Sequence, residues 1–371
     1  MRVAICGNPS FALKVQNSLR DIEVKFFIRD FVTMRGEDNP SINLPLITFF
    51  EFRRLVNAGE LDGVIIAEYI NTNFTKAVVK TFKLYGITQI GVINFGLPNP
   101  VSPIYWLDAC KIFLPYLESD ITDICNLKCR GCCHFANFSV DDDIYPLENF
   151  RRDLSKVAQT CEISTYHLLG GEPFMLKNLD EYMRYSRMYF PKSNLGIQTN
   201  GILIPSLPEK IFDSLRENNF LVSISVYPPT LKSIDKIKSA LQKNGVSYCL
   251  DRFVDNFSAQ ITLNDQNDPV KSVEACRCSG SRSLLNGKIY KCPIDAFSFK
   301  LSKKFGIKYF SSPTGIDIHT SNFSSLLESL DDDVELCHWC AKKHRTIRWE
   351  PTNNPQIEDW LADPDELKQF V

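Results

Sequence analysis

The sequence predicts an α/β protein made of two successive strand–helix series followed by a cysteine-rich segment. Short apolar runs alternate with amphipathic stretches from residue 2 to about residue 95, and a second alternation of the same kind runs from 115 to about 263. Beyond residue 270 the rhythm stops while cysteines continue. Strands separated by helix-length amphipathic stretches call for parallel sheets.

In the first series, 2–7 (RVAICG), 23–28 (EVKFFI), 61–68 (LDGVIIAE) and 89–95 (QIGVINF) read as buried parallel strands. Mixed stretches around 11–20, 48–58 and 72–85 suit covering helices. They make a small Rossmann-like α/β domain over residues 1–100. Its first strand ends in Cys6-Gly7-Asn8-Pro9-Ser10, a turn able to present backbone N–H groups to a phosphate. No GxGxxG or GxxxxGK accompanies it, so ordinary turn chemistry is the alternative. The proline-rich stretch that follows reads as a linker over 101–114.

The second series, 115–265, offers strands at 115–124, 164–169, 194–198, 221–227 and 246–250, with 259–263 as a sixth. Helices are expected at about 147–159, 176–189, 208–218 and 231–243. Residues 266–371 contain SLLNGKIYKCP, where Asn286-Gly287 signals a hairpin. The remainder suits a small metal-stapled module with a C-terminal tail.

A net charge of -2, from 42 basic and 44 acidic residues, gives no broad positive field for nucleic acid or an anionic membrane surface. The N-terminus has no signal-peptide pattern, and no segment reaches the roughly 20 apolar residues of a spanning helix. A soluble cytoplasmic protein is expected. In a reducing compartment the thirteen cysteines favour metal ligation over disulfides.

Cys125-Asn-Leu-Lys-Cys129-Arg-Gly-Cys132 places three thiolates in one loop directly after a predicted strand. Thiolates suit iron, and Gly131 lets the backbone turn closely. Three ligands leave one iron of a cubane open to the amino and carboxylate groups of a methionine moiety. A structural zinc site is the alternative, with a fourth ligand from Cys133 or His134.

This CxxxCxxC loop resembles the signature of the radical S-adenosylmethionine (SAM) superfamily. Gly131 replaces the usual aromatic residue before the third cysteine, and Phe135 lies nearby as a candidate adenine contact. Gly170-Gly171-Glu172-Pro173, after the second strand, resembles the family's GGEP motif, whose carbonyls and glutamate receive the methionine ammonium group. Gln198-Thr199-Asn200-Gly201 resembles its TNG segment, and Ser223 or Ser225 could contact the ribose or carboxylate. The resemblance implies a partial (β/α)6 barrel over about 115–250, a [4Fe-4S] cluster and S-adenosylmethionine as cofactors, and a 5'-deoxyadenosyl radical that abstracts a substrate hydrogen.

Cys276, Cys278, Cys292, Cys337 and Cys340 form a second set. Cys276-x10-Gly287-x4-Cys292 resembles the opening of the auxiliary-cluster domain called SPASM, or its shorter relative called twitch. The later CxxCx5CxxxC run is absent, which favours one auxiliary [4Fe-4S] cluster. The expected ligands are Cys276, Cys292, Cys337 and Cys340, with Cys278 as a substitute or neighbour; four-cysteine zinc is again the alternative. A fully protein-ligated cluster suits electron transfer and so a two-electron oxidation.

Candidates for substrate chemistry are His167, Tyr227, Asp251 and Cys249, with Cys133, His134, Cys161 and Arg252 beside them. A carboxylate at Asp251 could anchor or deprotonate a hydroxyl, and Cys249 could donate a hydrogen atom as in radical epimerases. Buried groups satisfying the backbone or core would look the same. The basic run Lys342-Lys343-His344-Arg345 could receive a phosphate or be a solvated face. The expected function is dehydrogenation of a sugar-like small molecule, free or phosphate- or nucleotide-linked, with reduction by a flavodoxin or ferredoxin. The alternatives are a radical epimerase, a peptide- or protein-modifying maturase, and an electron-transfer or scaffold protein. Sequence leaves the oligomeric state open.

Overall fold

The computed structural model describes residues 1–19, 21–32, 43–70, 72–94, 102–138, 145–276, 278, 280–307, 315–328, 330 and 335–369. Residue 20 of the first expected helix and residues 95–101 lie outside them. The chain divides into two compact units, Met1–Pro115 with Gln159–Ser164, and Tyr116–Ala158 with Thr165–Val371.

The first unit holds β1 (Arg2–Gly7), α1 (Pro9–Ser18), β2 (Glu23–Val32), β3 (Leu46–Ile47), α2 (Phe49–Asn57), β4 (Gly63–Ala67), α3 (Asn73–Leu84), β5 (Ile90–Ile93) and β6 (Ile104–Trp106). The sheet order is β3-β2-β1-β4-β5-β6. Both faces of its central strands are covered: Ala4 and Cys6 enter one core, and Val3 and Ile5 enter another. That explains why these strands read as unbroken apolar runs. Helix α2 starts at a capping box in which Thr48 and Glu51 satisfy each other's backbone N–H. The 101–114 stretch contains β6, which pairs antiparallel with β5 through Ile104 and Ile93 and through Tyr105 and Val92. Burial of Ile104 and Tyr105 anchors it to the sheet, so β6 is part of the first unit, whose first segment ends at Pro115.

The second series supplies β7 (Ile112–Thr122), α4 (Leu147–Thr160), β8 (Cys161–Gly170), α5 (Leu179–Tyr189), β9 (Asn194–Thr199), α6 (Glu209–Glu217), β10 (Phe220–Val226), α7 (Pro228–Lys232), α8 (Ile234–Lys243) and β11 (Tyr248–Phe253). β8, β9, β10 and β11 pair in parallel. The expected helix over 231–243 is two helices, interrupted at Ser233.

The sixth candidate strand behaves differently. β12 (Asn256–Ile261) leaves this sheet and pairs antiparallel with β16 (Cys340–Arg348). A parallel neighbour needs a crossover of about a dozen residues or more, whereas β11 ends at Phe253 and β12 begins at Asn256.

Residues 266–371 add α9 (Pro269–Ala275), β13 (Ser283–Leu285), β14 (Lys288–Tyr290), α10 (Pro293–Phe297), α11 (Phe299–Phe305), β15 (Ile316–Asp317) and α12 (Phe323–Glu328). The Asn286-Gly287 hairpin forms as expected, both residues at positive φ, 45° and 76°. β13 also pairs parallel with β7, so the complete sheet runs β11-β10-β9-β8-β7-β13-β14-β15. No described helix is long and apolar enough to cross a membrane.

Candidate active site

The cysteine loop leaves the C-terminal end of β7. Lys128 and Gly131 adopt left-handed backbone at φ 47° and 71°. A Cβ on Gly131 would stand 3.1 Å from the carbonyl oxygen of Asp359. Cys129 is buried, and Cys125 and Cys132 are half-buried. Burial, with Cys132 beside it, pushes the Cys125 thiol up to about 11; burial and neighbouring sulfurs also raise Cys129 and Cys132. Gathering three thiolates in such a place is unfavourable without a cation among them, and soft sulfur donors suit iron. The residues therefore fit an iron–sulfur cluster. Among the described residues no three Cys, His, Asp or Glu side chains are close enough to hold one bare metal ion.

The next motif locks onto the end of β7. Gly171 N–H donates to Thr122 O at 2.7 Å and Glu172 N–H to Ile124 O at 2.7 Å. Added Cβ atoms on Gly170 and Gly171 would each meet one of those oxygens at 2.1 Å, which is why the chain needs two glycines here. Glu172 is fully buried. It accepts from Thr199 Oγ1 at 2.8 and 2.9 Å, from Asn200 N at 2.9 Å and from Phe174 N at 3.2 Å. Desolvation raises its carboxyl to about 7 against those hydrogen bonds. Its oxygens thus hold the segment after β9, and an ammonium ion would have to compete with these donors. Asn200 Nδ2 in turn donates to Asn126 Oδ1 at 2.7 Å, tying that segment to the cysteine loop. Pro173 begins the short turn that follows.

Strand register sets a polar wall beside these loops. His167 pairs with Gly196, Gln198 with Ser223, and Ser223 with Cys249, so their side chains share one sheet face with Ser225 and Asp251. Gln198 Nε2 donates to Ser225 Oγ at 2.8 Å and to Asp251 Oδ2 at 2.7 Å. Ser223 Oγ donates to Asp251 at 3.1 Å and stands 3.4 Å from Cys249 Sγ. His167 Nδ1 lies 3.3 Å from the Tyr116 hydroxyl, and burial lowers its pKa to about 4, so the ring is neutral near pH 7.

Sequence reasoning missed Tyr116, Glu118 and Asp120. Tyr116 donates to Glu118 at 2.8 Å, and Asp120 meets His134 Nδ1 at 2.7 Å. Burial pushes Glu118 up to about 7, opposed by His134. Burial alone lowers His134, but Asp120 and its other neighbours carry it well above its usual value. The available signal was the spacing of Tyr116, Glu118 and Asp120 at every second position of the strand, which places all three on one face.

Two candidates fall elsewhere. Phe135 is fully buried and stacked 5.5 Å from Trp360 and 6.1 Å from Phe138, so it is a core residue and not a free nucleotide-facing ring. Tyr227 packs 6.1 Å from Trp349 and 6.1 Å from Phe257, next to the cysteine loop. In the basic run, Arg345 Nε donates to Leu361 O at 3.0 Å, which commits it to the fold.

All five later cysteines converge. Cys276, Cys278, Cys292, Cys337 and Cys340 line one cavity with Gln260, Lys291, Ser272, Val273 and Leu336. The cavity makes no choice between Cys276 and Cys278. Gln260 Nε2 lies 3.9 Å from both Cys276 Sγ and Cys340 Sγ, and burial raises the Cys340 thiol to about 12. This donor set also fits an iron–sulfur cluster.

Residues 119–261 match the family model described as the Radical SAM superfamily. GTP 3',8-cyclase of Helicobacter pylori is 25% identical over 169 residues, covering 45% of this chain and 50% of that protein. GTP 3',8-cyclase of Syntrophomonas wolfei is 30% identical over 148 residues, covering 37% and 44%. The chain thus spans about half the length of these curated relatives. Among solved structures, BtrN in complex with AdoMet and 2-DOIA is 21% identical, with 62% of this chain and 93% of that chain covered and a TM-score of 0.37. Native anSMEcpe with bound AdoMet is 22% identical, with 36% and 42% covered and a TM-score of 0.30.

Proposed function

From the premise that residues 119–261 are a radical SAM domain, we propose that this chain is an oxidoreductase removing hydrogen from a hydroxyl-bearing, sugar-like small molecule. When bound, the [4Fe-4S] cluster with S-adenosylmethionine supplies one-electron cleavage of the sulfonium and a 5'-deoxyadenosyl radical.

Cys125, Cys129 and Cys132 would hold that cluster. Gly170 and Gly171 pack closely against the end of β7, where Gly171 N–H donates to Thr122 O, and Glu172 fixes Thr199 and Asn200 beside the cysteine loop. The observation that carries the substrate reading is the Gln198–Ser223–Asp251 network. Gln198 and Ser223 hold the Asp251 carboxylate on the sheet face that His167, Ser225 and Cys249 share. A carboxylate so placed can accept a hydroxyl hydrogen bond and take its proton, and neutral His167 can accept another. An iron–sulfur cluster held by the cysteines of the cavity near Cys292 and Cys340 would take the remaining electron, and a flavodoxin- or ferredoxin-like donor would supply the first.

The GTP 3',8-cyclase relatives raise a nucleotide substrate as an alternative. The Asp251 carboxylate on this wall opposes a triphosphate by like charge, which favours an uncharged polyol. A second reading, epimerisation, draws support from Cys249. Burial raises its thiol, keeping the S–H bond that a hydrogen-atom donor needs.

The test is anaerobic reconstitution followed by reduction and analysis for 5'-deoxyadenosine in the presence of deuterated sugars, aminocyclitols, GTP and peptides. Deuterium in 5'-deoxyadenosine from a sugar-like compound, with a two-electron-oxidised product, is expected. Transfer from GTP alone or from a peptide alone would refute the substrate class.

A further inference from the structure

We propose that Trp349 is a positioning residue whose indole N–H sets the reduction potential of the cluster held by Cys125, Cys129 and Cys132. This rests on reading those cysteines as cluster ligands.

Trp349 Nε1 donates to Cys129 Sγ at 3.1 Å, from a position 220 residues away in sequence. A segment just beyond β16 fixes the indole there. Trp349 N–H donates to Asp255 O at 2.8 Å, Arg130 N–H to Glu350 O at 2.9 Å, and Thr352 N–H to Lys128 O at 2.9 Å. Cys129 and Pro351 form a β-bridge. The Arg130 guanidinium reaches Glu350 at 2.6 Å and Asp359 at 2.5 Å. The cysteine loop and this segment therefore form one hydrogen-bonded ribbon, which holds the Trp349 backbone beside the sulfur.

An N–H aimed at a ligand sulfur stabilises the electron-rich state more than the oxidised one, and so raises the potential. Trp360 provides an internal comparison. Its Nε1 donates to the backbone carbonyl of Cys132 at 2.9 Å, not to sulfur. It braces the same loop without touching a ligand atom.

The experiment is an EPR-monitored redox titration of the anaerobically reconstituted full chain, following the signal that changes when S-adenosylmethionine is added. Trp349→Phe keeps an aromatic ring and removes the donor. Expected are wild-type iron content and a reduced-to-oxidised ratio about tenfold lower at fixed solution potential, equivalent to about 59 mV for a one-electron couple. Trp360→Phe is expected to leave the midpoint in place. An unshifted midpoint in W349F, an equal shift in W360F, or loss of iron from W349F would each overturn the tuning role. Retention of the responsive signal in Cys129→Ala would instead overturn the ligand reading beneath it.

Discussion

Removing the Glu172 carboxylate should cost more than any other single polar change in the barrel loops. The side chain is fully buried and accepts from Thr199 Oγ1, Asn200 N and Phe174 N. In Glu172→Ala the two backbone N–H groups lose their acceptor, at about 1–3 kcal/mol each for a buried unsatisfied donor. The cavity left behind adds to this, so a loss of about 3–6 kcal/mol is expected, a large part of a typical domain's stability. Glu172→Gln keeps one acceptor oxygen and should lose about half as much or less. The pH dependence separates a carboxylate effect from simple volume. Burial raises this acid from 4.5 to about 7 in the folded chain, so the folded state binds more protons than the unfolded one between those values. Its contribution is therefore intact below about pH 4.5 and falls as pH rises to about 7, by roughly 3 kcal/mol at 1.36 kcal/mol per unit. Urea unfolding of the anaerobic protein at several pH values, followed by tryptophan fluorescence, measures both effects. Equal stability of E172A and wild type at about pH 4.5, or the wild-type slope between pH 5 and 7 retained in E172Q, would refute the reasoning.

Other substitutions probe separate parts of the site. Gly171→Ala should prevent the chain from folding or loading iron, because its Cβ would lie 2.1 Å from Ile124 O; soluble yield and iron content report this. Cys125→Ser and Cys292→Ser should each lose the iron of one cluster and keep the other, which iron-to-protein ratios and EPR distinguish; joint loss in either variant would speak against two independent sites. Asp251→Asn should leave 5'-deoxyadenosine formation without substrate within about tenfold of wild type while lowering substrate oxidation by about 10²–10⁴, the usual weight of a general base. Unchanged product formation would remove Asp251 from the mechanism.

Much of the fold was legible because its signals are local. Buried strands such as Val64-Ile65-Ile66 announce themselves as continuous apolar runs, and Asn286-Gly287 announces its turn through left-handed φ. The misplaced elements depended on chain length between partners. The run at 259–263 carries strand composition, but its direction was set by the short step from Phe253 to Asn256, which excludes a crossover. The strand Ile104–Trp106 was hidden among prolines, and only burial against the sheet reveals it.

At the site, the cysteine loop and the two motifs after it were visible because each is a compact run of special residue types. The structure adds what joins them: Glu172 to Thr199, and Asn200 to Asn126. Those links explain why the separate loops act as one cradle, since displacement of the Asn200 loop would pull directly on the cysteine loop. Tyr116, Glu118 and Asp120 could have been found from strand periodicity. Trp349 could not, because nothing near residue 349 marks it and its partner is 220 residues earlier. The same distance gives it mechanistic weight. A donor brought to Cys129 by the C-terminal ribbon makes the electronic state of the cysteine loop depend on completed folding of residues 340–360. A chain in which residues 349–352 failed to dock on the cysteine loop would retain every motif read from sequence and still present a sulfur without its N–H partner.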